Sequence, residues 1–145
     1  MPTVTNPTFH HIEIPCGDLD LAERFYSTLL GAEVYMRRDA GRTPGVPATG
    51  TIADAESAGF NIDGTYMRIG GFRIGFLKQP HEQRRLEVDH LAFMFDDETR
   101  VLLDRLRETG ITILDESRDR ILIEDPFGLT LELWERAALE RMGLA

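Results

Sequence analysis

The chain has 145 residues, 42% hydrophobic and 28% charged, with a net charge of −9 from 25 acidic and 16 basic side chains. That length builds a buried core without staples. The acidic balance argues against a phosphate-backbone partner, and no apolar run approaches the roughly 20 residues that cross a bilayer. Cys16 is the single cysteine, which rules out an internal disulfide and fits a reducing cytoplasm. Met1 to Phe9 shows neither the basic nor the apolar part of a secretory signal. The expectation is a cytoplasmic protein with a small-molecule partner, and neither nucleic acid nor membrane.

The first expected strand is Phe9–Ile14. Ile12 and Ile14 share one face, and His11 and Glu13 share the other. His10 falls on the opposite face from His11, where it packs or meets solvent. Cys16 falls on the helix-facing side as a core residue. Asp18 caps a helix whose apolar stripe is Ala22, Phe25, Tyr26 and Leu29, and Gly31 ends it. Strands follow at Glu33–Arg38, Thr65–Ile69 and Phe72–Lys78, the last two joined at Gly70-Gly71. The stretch from Asp39 to Gly59, rich in Gly, Pro, Thr and Ala, reads as a long loop with a helical turn at Asp54–Ala58, either a substrate lid or simply mobile. Arg37-Arg38 and Arg84-Arg85 read as solvated surface pairs.

In the second half, His90, Ala92 and Met94 alternate with Leu91, Phe93 and Phe95. Asp96 or Asp97 caps a helix with the stripe Val101, Leu102 and Leu106, ended by Gly110. Strands are expected at Thr112–Asp115, Arg120–Glu124 and Leu129–Glu135, with a turn at Asp125-Pro126-Phe127-Gly128. His11 to His90, Asp18 to Asp97 and Gly31 to Gly110 are each 79 residues apart. One spacing shared by three residue types marks two copies of one supersecondary unit. The fold class is therefore α+β: two βαβββ modules, about residues 8–79 and 87–136, in a single domain spanning 1–145.

The last strand points to chemistry. Leu129, Leu131 and Leu133 take one face; Thr130, Glu132 and Trp134 take the other, the side the two histidines share. A carboxylate on the concave face of a sheet costs several kcal/mol unless it is paired or coordinates a metal. Two imidazoles and a carboxylate form a recognised ligand set with open positions. His11, His90 and Glu132 are the candidate metal ligands.

The motifs His11-Ile12-Glu13-Ile14, Asp18-Leu19-Asp20, Phe25-Tyr26 and Leu29-Leu30-Gly31, followed by Asp89-His90-Leu91 and by Asp125-Pro126-Phe127-Gly128 leading into Leu131-Glu132-Leu133, together resemble the vicinal oxygen chelate superfamily, also called the glyoxalase/bleomycin resistance/dioxygenase fold. The resemblance covers nearly the whole chain. It implies two modules forming a cup-shaped mixed sheet around a divalent metal held at positions matching His11, His90 and Glu132.

Departures from the family patterns narrow the function. The position of a fourth ligand, as in glyoxalase I and methylmalonyl-CoA epimerase, is Gly75 here. The tyrosine of extradiol dioxygenases matches Leu122. No cluster of phosphonate-binding residues like that of fosfomycin-modifying transferases stands out. The expectation is a divalent-metal-dependent enzyme acting on a small oxygen-bearing substrate, dioxygenase-like or a glyoxalase-like lyase or isomerase. Iron(II) is the first choice of metal, with manganese, nickel or zinc as alternatives. Glu13 is a base, a partner of the ligands, or a plain carboxylate at the mouth of the cup. Arg73 orients an anionic substrate or forms a salt bridge, and Trp134 is an apolar wall of the site or a core filler. The alternative function is a resistance-type protein that sequesters a drug or toxin without turnover. Edge strands of such modules favour a homodimer.

Overall fold

Period-two alternation and well-placed caps build the first unit. The computed structural model describes residues 10–40, 45–78 and 90–142, and the chain divides into two compact units, Met1–Leu86 and Glu87–Ala145. Unit 1 contains β1 (Ile12–Cys16), α1 (Leu19–Leu30), β2 (Glu33–Asp39), β3 (Val46–Pro47), α2 (Ile52–Ser57), β4 (Ile62–Ile69) and β5 (Phe72–Lys78). Its sheet has the order β1-β5-β4-β2-β3, with β1 parallel to β5 and the other pairs antiparallel. Asp18 caps α1 by accepting from the Leu21 amide at 2.9 Å, and Gly31 closes it in the left-handed region at φ 62°. Leu19, Ala22 and Tyr26 are buried, and the Tyr26 ring meets that of Phe76 on β5 at 4.7 Å.

Two expectations for unit 1 need correction. Arg37 is not solvated: it is 2% exposed and grips Glu23 of α1 through Nε and Nη2, both at 2.9 Å. Thr65 donates to the same carboxylate at 2.7 Å, and Arg37 Nη2 also reaches the Gly50 carbonyl at 3.0 Å. A charge pair thus sits between helix and sheet, where losing one partner strands the other. Arg38 forms a two-point pair with Asp63. The stretch after Asp39 is also more ordered than a bare loop. β3 pairs with β2, and α2 opens two residues before the expected turn. A capping box there joins Thr51 and Asp54, and Ile52 and Ala55 are buried.

Unit 2 contains β6 (His90–Phe95), α3 (Thr99–Glu108), β7 (Thr112–Glu116), β8 (Arg120–Glu124), β9 (Thr130–Glu135) and α4 (Arg136–Arg141). Its sheet runs β6-β9-β8-β7, with β6 parallel to β9. This repeats unit 1, in which β3 and α2 are the insertion, so both units are βαβββ. The core is apolar: Leu103 and Leu106 of α3 are buried, as are Ile121, Ile123, Leu131 and Leu133 of the sheet.

The helix of unit 2 departs from expectation in its cap and its stripe. Glu98, not Asp96 or Asp97, is the N-cap residue, and its side chain makes no capping bond. Glu135 of β9 does that work instead, accepting from the Thr99 amide at 3.0 Å and the Thr99 hydroxyl at 2.8 Å. Val101 is 42% exposed and Leu103 takes its place in the stripe. Arg84-Arg85 and Phe9 lie outside the described residues. Among the described residues, no helix is long and apolar enough to cross a membrane.

Candidate metal centre

Strand register makes the two units comparable residue by residue. In unit 1, Glu13 lies beside Gly75 across the parallel pair, and Tyr66 lies opposite Gly75 across the antiparallel pair. In unit 2 the same rung reads Ala92, Glu132 and Leu122. Gly75 and Glu132 therefore hold equivalent positions, as strand matching predicts.

On the rung of unit 2, the backbone alternation that buries Leu131 and Leu133 turns Glu132 to the other face. There His90 Nε2 stands 3.2 Å from Glu132 Oε2. The second oxygen, Oε1, accepts from Arg120 Nη1 at 3.2 Å. Arg120 Nη2 donates to Asp115 at 2.8 Å, and its Cζ lies 5.7 Å from the centre of the half-buried Trp134 ring. The Glu132 side chain is only 14% exposed, so its charge needs these neighbours. Adjacent ligands of a six-coordinate ion, each about 2.1 Å from the metal, stand about 3 Å apart. The His90–Glu132 spacing suits that geometry as well as it suits an ion pair.

Unit 1 carries its carboxylate on the neighbouring strand. His11 Nε2 lies 3.4 Å from Glu13 Oε1, and the Tyr66 hydroxyl donates to the same oxygen at 2.7 Å. Burial, then the bond to Glu13, pushes the Tyr66 hydroxyl up to about 12. The Tyr66 ring covers Gly75 so closely that a Cβ there would sit 2.8 Å from Cε1 and 3.1 Å from Glu13 Cγ. His10 is not set apart from His11: their Nδ1 atoms are 2.8 Å apart, so one ring donates to the other and His11 presents Nε2 to Glu13.

Arg73 is half-buried on β5, two residues from Gly75 and on its face. The expected ligands are thus divided between the units, His11 in the first and His90 with Glu132 in the second. Among the described residues, no three His, Cys, Asp or Glu side chains gather in a metal-holding group. Tyr66 and Arg120 are the residues that sequence reasoning missed. A signal for both existed: counting outward from the Gly70-Gly71 hairpin pairs Tyr66 with Gly75, and counting from the Asp125–Gly128 turn carries β8 back to Arg120 beside Trp134.

The family model for the Glyoxalase/Bleomycin resistance protein/Dioxygenase superfamily matches residues 8–133. No curated protein matches the sequence. Among solved structures, the chain is similar to a fosfomycin resistance protein, FosX, from Listeria monocytogenes, complexed with Mn(II) and sulfate. The identity is 20% over 95% of this chain and 99% of that one, with a TM-score of 0.64. FosX from Mesorhizobium loti is 16% identical over 96% and 99%, with a TM-score of 0.63. An integron cassette protein from the mobile metagenome of V. cholerae is 15% identical over 92% and 98%, with a TM-score of 0.61. At these identities the likeness is one of fold.

Proposed function

Because the chain belongs to the glyoxalase/bleomycin resistance protein/dioxygenase superfamily, we propose that it is a divalent-metal-dependent enzyme acting on a small oxygen-bearing molecule, with His11, His90 and Glu132 as protein ligands. The observation that carries this reading is the 3.2 Å approach of His90 Nε2 to Glu132 Oε2 on the polar face of unit 2. His11 joins the set by its place in the repeat, 79 residues before His90. The Mn(II) in the Listeria FosX structure supports a divalent ion on this fold.

A bound ion supplies Lewis acidity toward adjacent substrate oxygens and, when it is iron, dioxygen activation. The chain's own groups take the remaining roles. Glu13 is the proton acceptor: the Tyr66 hydroxyl occupies Oε1, leaving Oε2 to take a proton from the substrate. Arg73 orients an anionic substituent, and Trp134 offers an apolar surface beside Glu132.

Elemental analysis of wild-type protein and Glu132→Ala tests the reading. Near-stoichiometric metal in the wild type, lost in the variant, is the expected result. Iron directs the search to oxygen-dependent substrates; manganese, nickel or zinc directs it to lyase, isomerase and transferase assays. A wild type that takes up no metal even on reconstitution sinks the enzymatic reading and leaves a protein that sequesters its ligand.

A further inference from the structure

We propose that Arg73 and Arg68 form a carboxylate-binding rung on the polar face of the unit 1 sheet. The inference deepens the reading of Arg73 as the residue that orients an anion, and it draws on no metal ligand. Among the described residues the buried or half-buried arginines are Arg37, Arg38, Arg73, Arg120 and Arg136. All but Arg73 pair with a carboxylate, that of Glu23, Asp63, Glu132 and Asp96 respectively. Arg73 has no hydrogen-bonding or ionic partner among the described residues. A half-buried guanidinium without an acceptor is costly, and a bound acceptor removes that cost.

Strand register supplies its neighbours. Glu33 of β2, Arg68 of β4 and Arg73 of β5 are successive Cα partners on one rung. Residues directly opposite share a face, and like charges placed so repel. Glu33 offsets one of the two: it accepts from Arg68 Nη2 at 3.2 Å, but the side chains of Arg68 and Glu33 are 50% and 73% exposed. An ion pair that open is weak, so Arg68 is able to share its fork. Ile74 and Phe76 are buried on the α1 side, which turns Arg73 to the face that Gly75 and Glu13 occupy.

Charge selects the ligand. Two arginines and one glutamate leave the rung with a single positive charge, the complement of one carboxylate. Glu13 lies beside Gly75, two residues further along β5, and disfavours a second negative charge on the ligand. The guanidinium fork matches the two oxygens of a carboxylate. Two residues of strand span about 6.6 Å, so a carboxylate held at Arg73 sits a short carbon chain from Glu13.

The test titrates the full chain with lactate and, separately, with inorganic phosphate at fixed ionic strength. EDTA is present so that lactate cannot bind through a metal, and the arginine Nε–Hε signals are followed by NMR. Lactate is expected to shift the Arg73 signal to saturation and to bind more tightly than phosphate. Arg73→Met, followed on Arg68, is expected to weaken lactate binding by at least about tenfold. Arg24→Met, at an exposed position of α1, is expected to leave it unchanged. Glu33→Gln adds a positive charge to the rung and is expected to strengthen phosphate binding more than lactate binding. No saturable shift at Arg73 in wild type overturns the proposal, without relying on any variant folding. Lactate binding undiminished in Arg73→Met, or lost equally in Arg24→Met, also overturns it. Tighter binding of phosphate by wild type overturns the carboxylate assignment. The metal reading fails or stands separately: lactate bound at Arg73 by a protein that takes up no metal supports the rung, and metal uptake without lactate binding refutes the rung alone.

Discussion

On the three strands compared above, each unit carries one carboxylate on the same rung and places it on a different strand. In unit 1 it is Glu13, carried by β1, with glycine beside it and Tyr66 filling the space over that glycine. In unit 2 it is Glu132, carried by β9, with Ala92 beside it and Leu122 opposite. The hydrogen-bond donors differ in kind: Glu13 meets a neutral phenol, while Glu132 meets a guanidinium shared with Asp115. The helix faces differ as well. Unit 1 buries the Arg37–Glu23 pair under α1, and unit 2 packs α3 on leucine and isoleucine. A repeated backbone therefore fixes where a side chain points, while the residue chosen at each rung decides whether that point becomes a ligand, a base or packing.

The sharpest way to break the comparison is to remove each carboxylate in turn. Glu132→Ala is expected to weaken metal binding by at least about 100-fold, since it deletes a ligand rather than a supporting partner. Glu13→Ala is expected to weaken it less, by about 10-fold, as the loss of a partner of His11 rather than of a ligand. Equal losses in a metal titration would mean that Glu13 is itself a ligand.

The helix faces give the next effect. Arg37→Met leaves Glu23, 14% exposed at its side chain, with Thr65 as its one remaining donor among the contacts described above. The expected loss is about 3–5 kcal/mol in urea unfolding. Leu103→Met on the apolar face of α3 is expected to cost less than about 1.5 kcal/mol.

A smaller effect comes from Gly75. Gly75→Ala drives a methyl into the Tyr66 ring and is expected to cost about 1–3 kcal/mol. In Tyr66→Leu, which copies Leu122 of unit 2, the same alanine is expected to cost measurably less. Additive costs in that double-mutant cycle would show that the ring is not what excludes a side chain.

The smallest effect is the pH dependence that Glu135 gives unit 2. The Thr99 amide, then its hydroxyl, holds the Glu135 carboxyl below its ordinary range. A carboxyl lowered in the folded state contributes stability above its unfolded value of about 4.3 and loses it as the pH falls toward the folded one. Wild type is expected to be slightly more stable than Glu135→Gln at pH 7, and the gap is expected to narrow as the pH falls below about 4.3. A gap that persists in acid would assign the difference to something other than this charge.

Much of the architecture was legible from periodicity. The spacing of 79 residues identified the repeat, and the parity of Leu129, Leu131 and Leu133 put Glu132 on the face where the structure has it. Local pattern failed wherever the deciding partner is distant. Arg37 looks like half of a surface pair until α1 brings Glu23, 14 residues earlier, over the sheet. The cap of α3 looks like a choice between Asp96 and Asp97, yet Glu135 arrives from the far end of the unit. His10 is exposed, as strand parity allowed, but it and His11 both lie ahead of β1, where alternation no longer governs, and the two rings meet. Tyr66 and Arg120 needed the register of two hairpins, which no single strand contains.

The turn that leads into β9 has a consequence for Glu132. Buried Asp125 accepts from the amides of Phe127 and Leu129, both at 2.8 Å, and its own amide donates to the Leu129 carbonyl at 2.9 Å. Those three bonds act as an index mark for the strand that follows. A slip by one residue would send Glu132 into the leucine layer and a leucine to the polar face. A residue that touches neither histidine nor substrate thus governs whether Glu132 faces His90, and damage at Asp125 would look, from the outside, like the loss of a ligand.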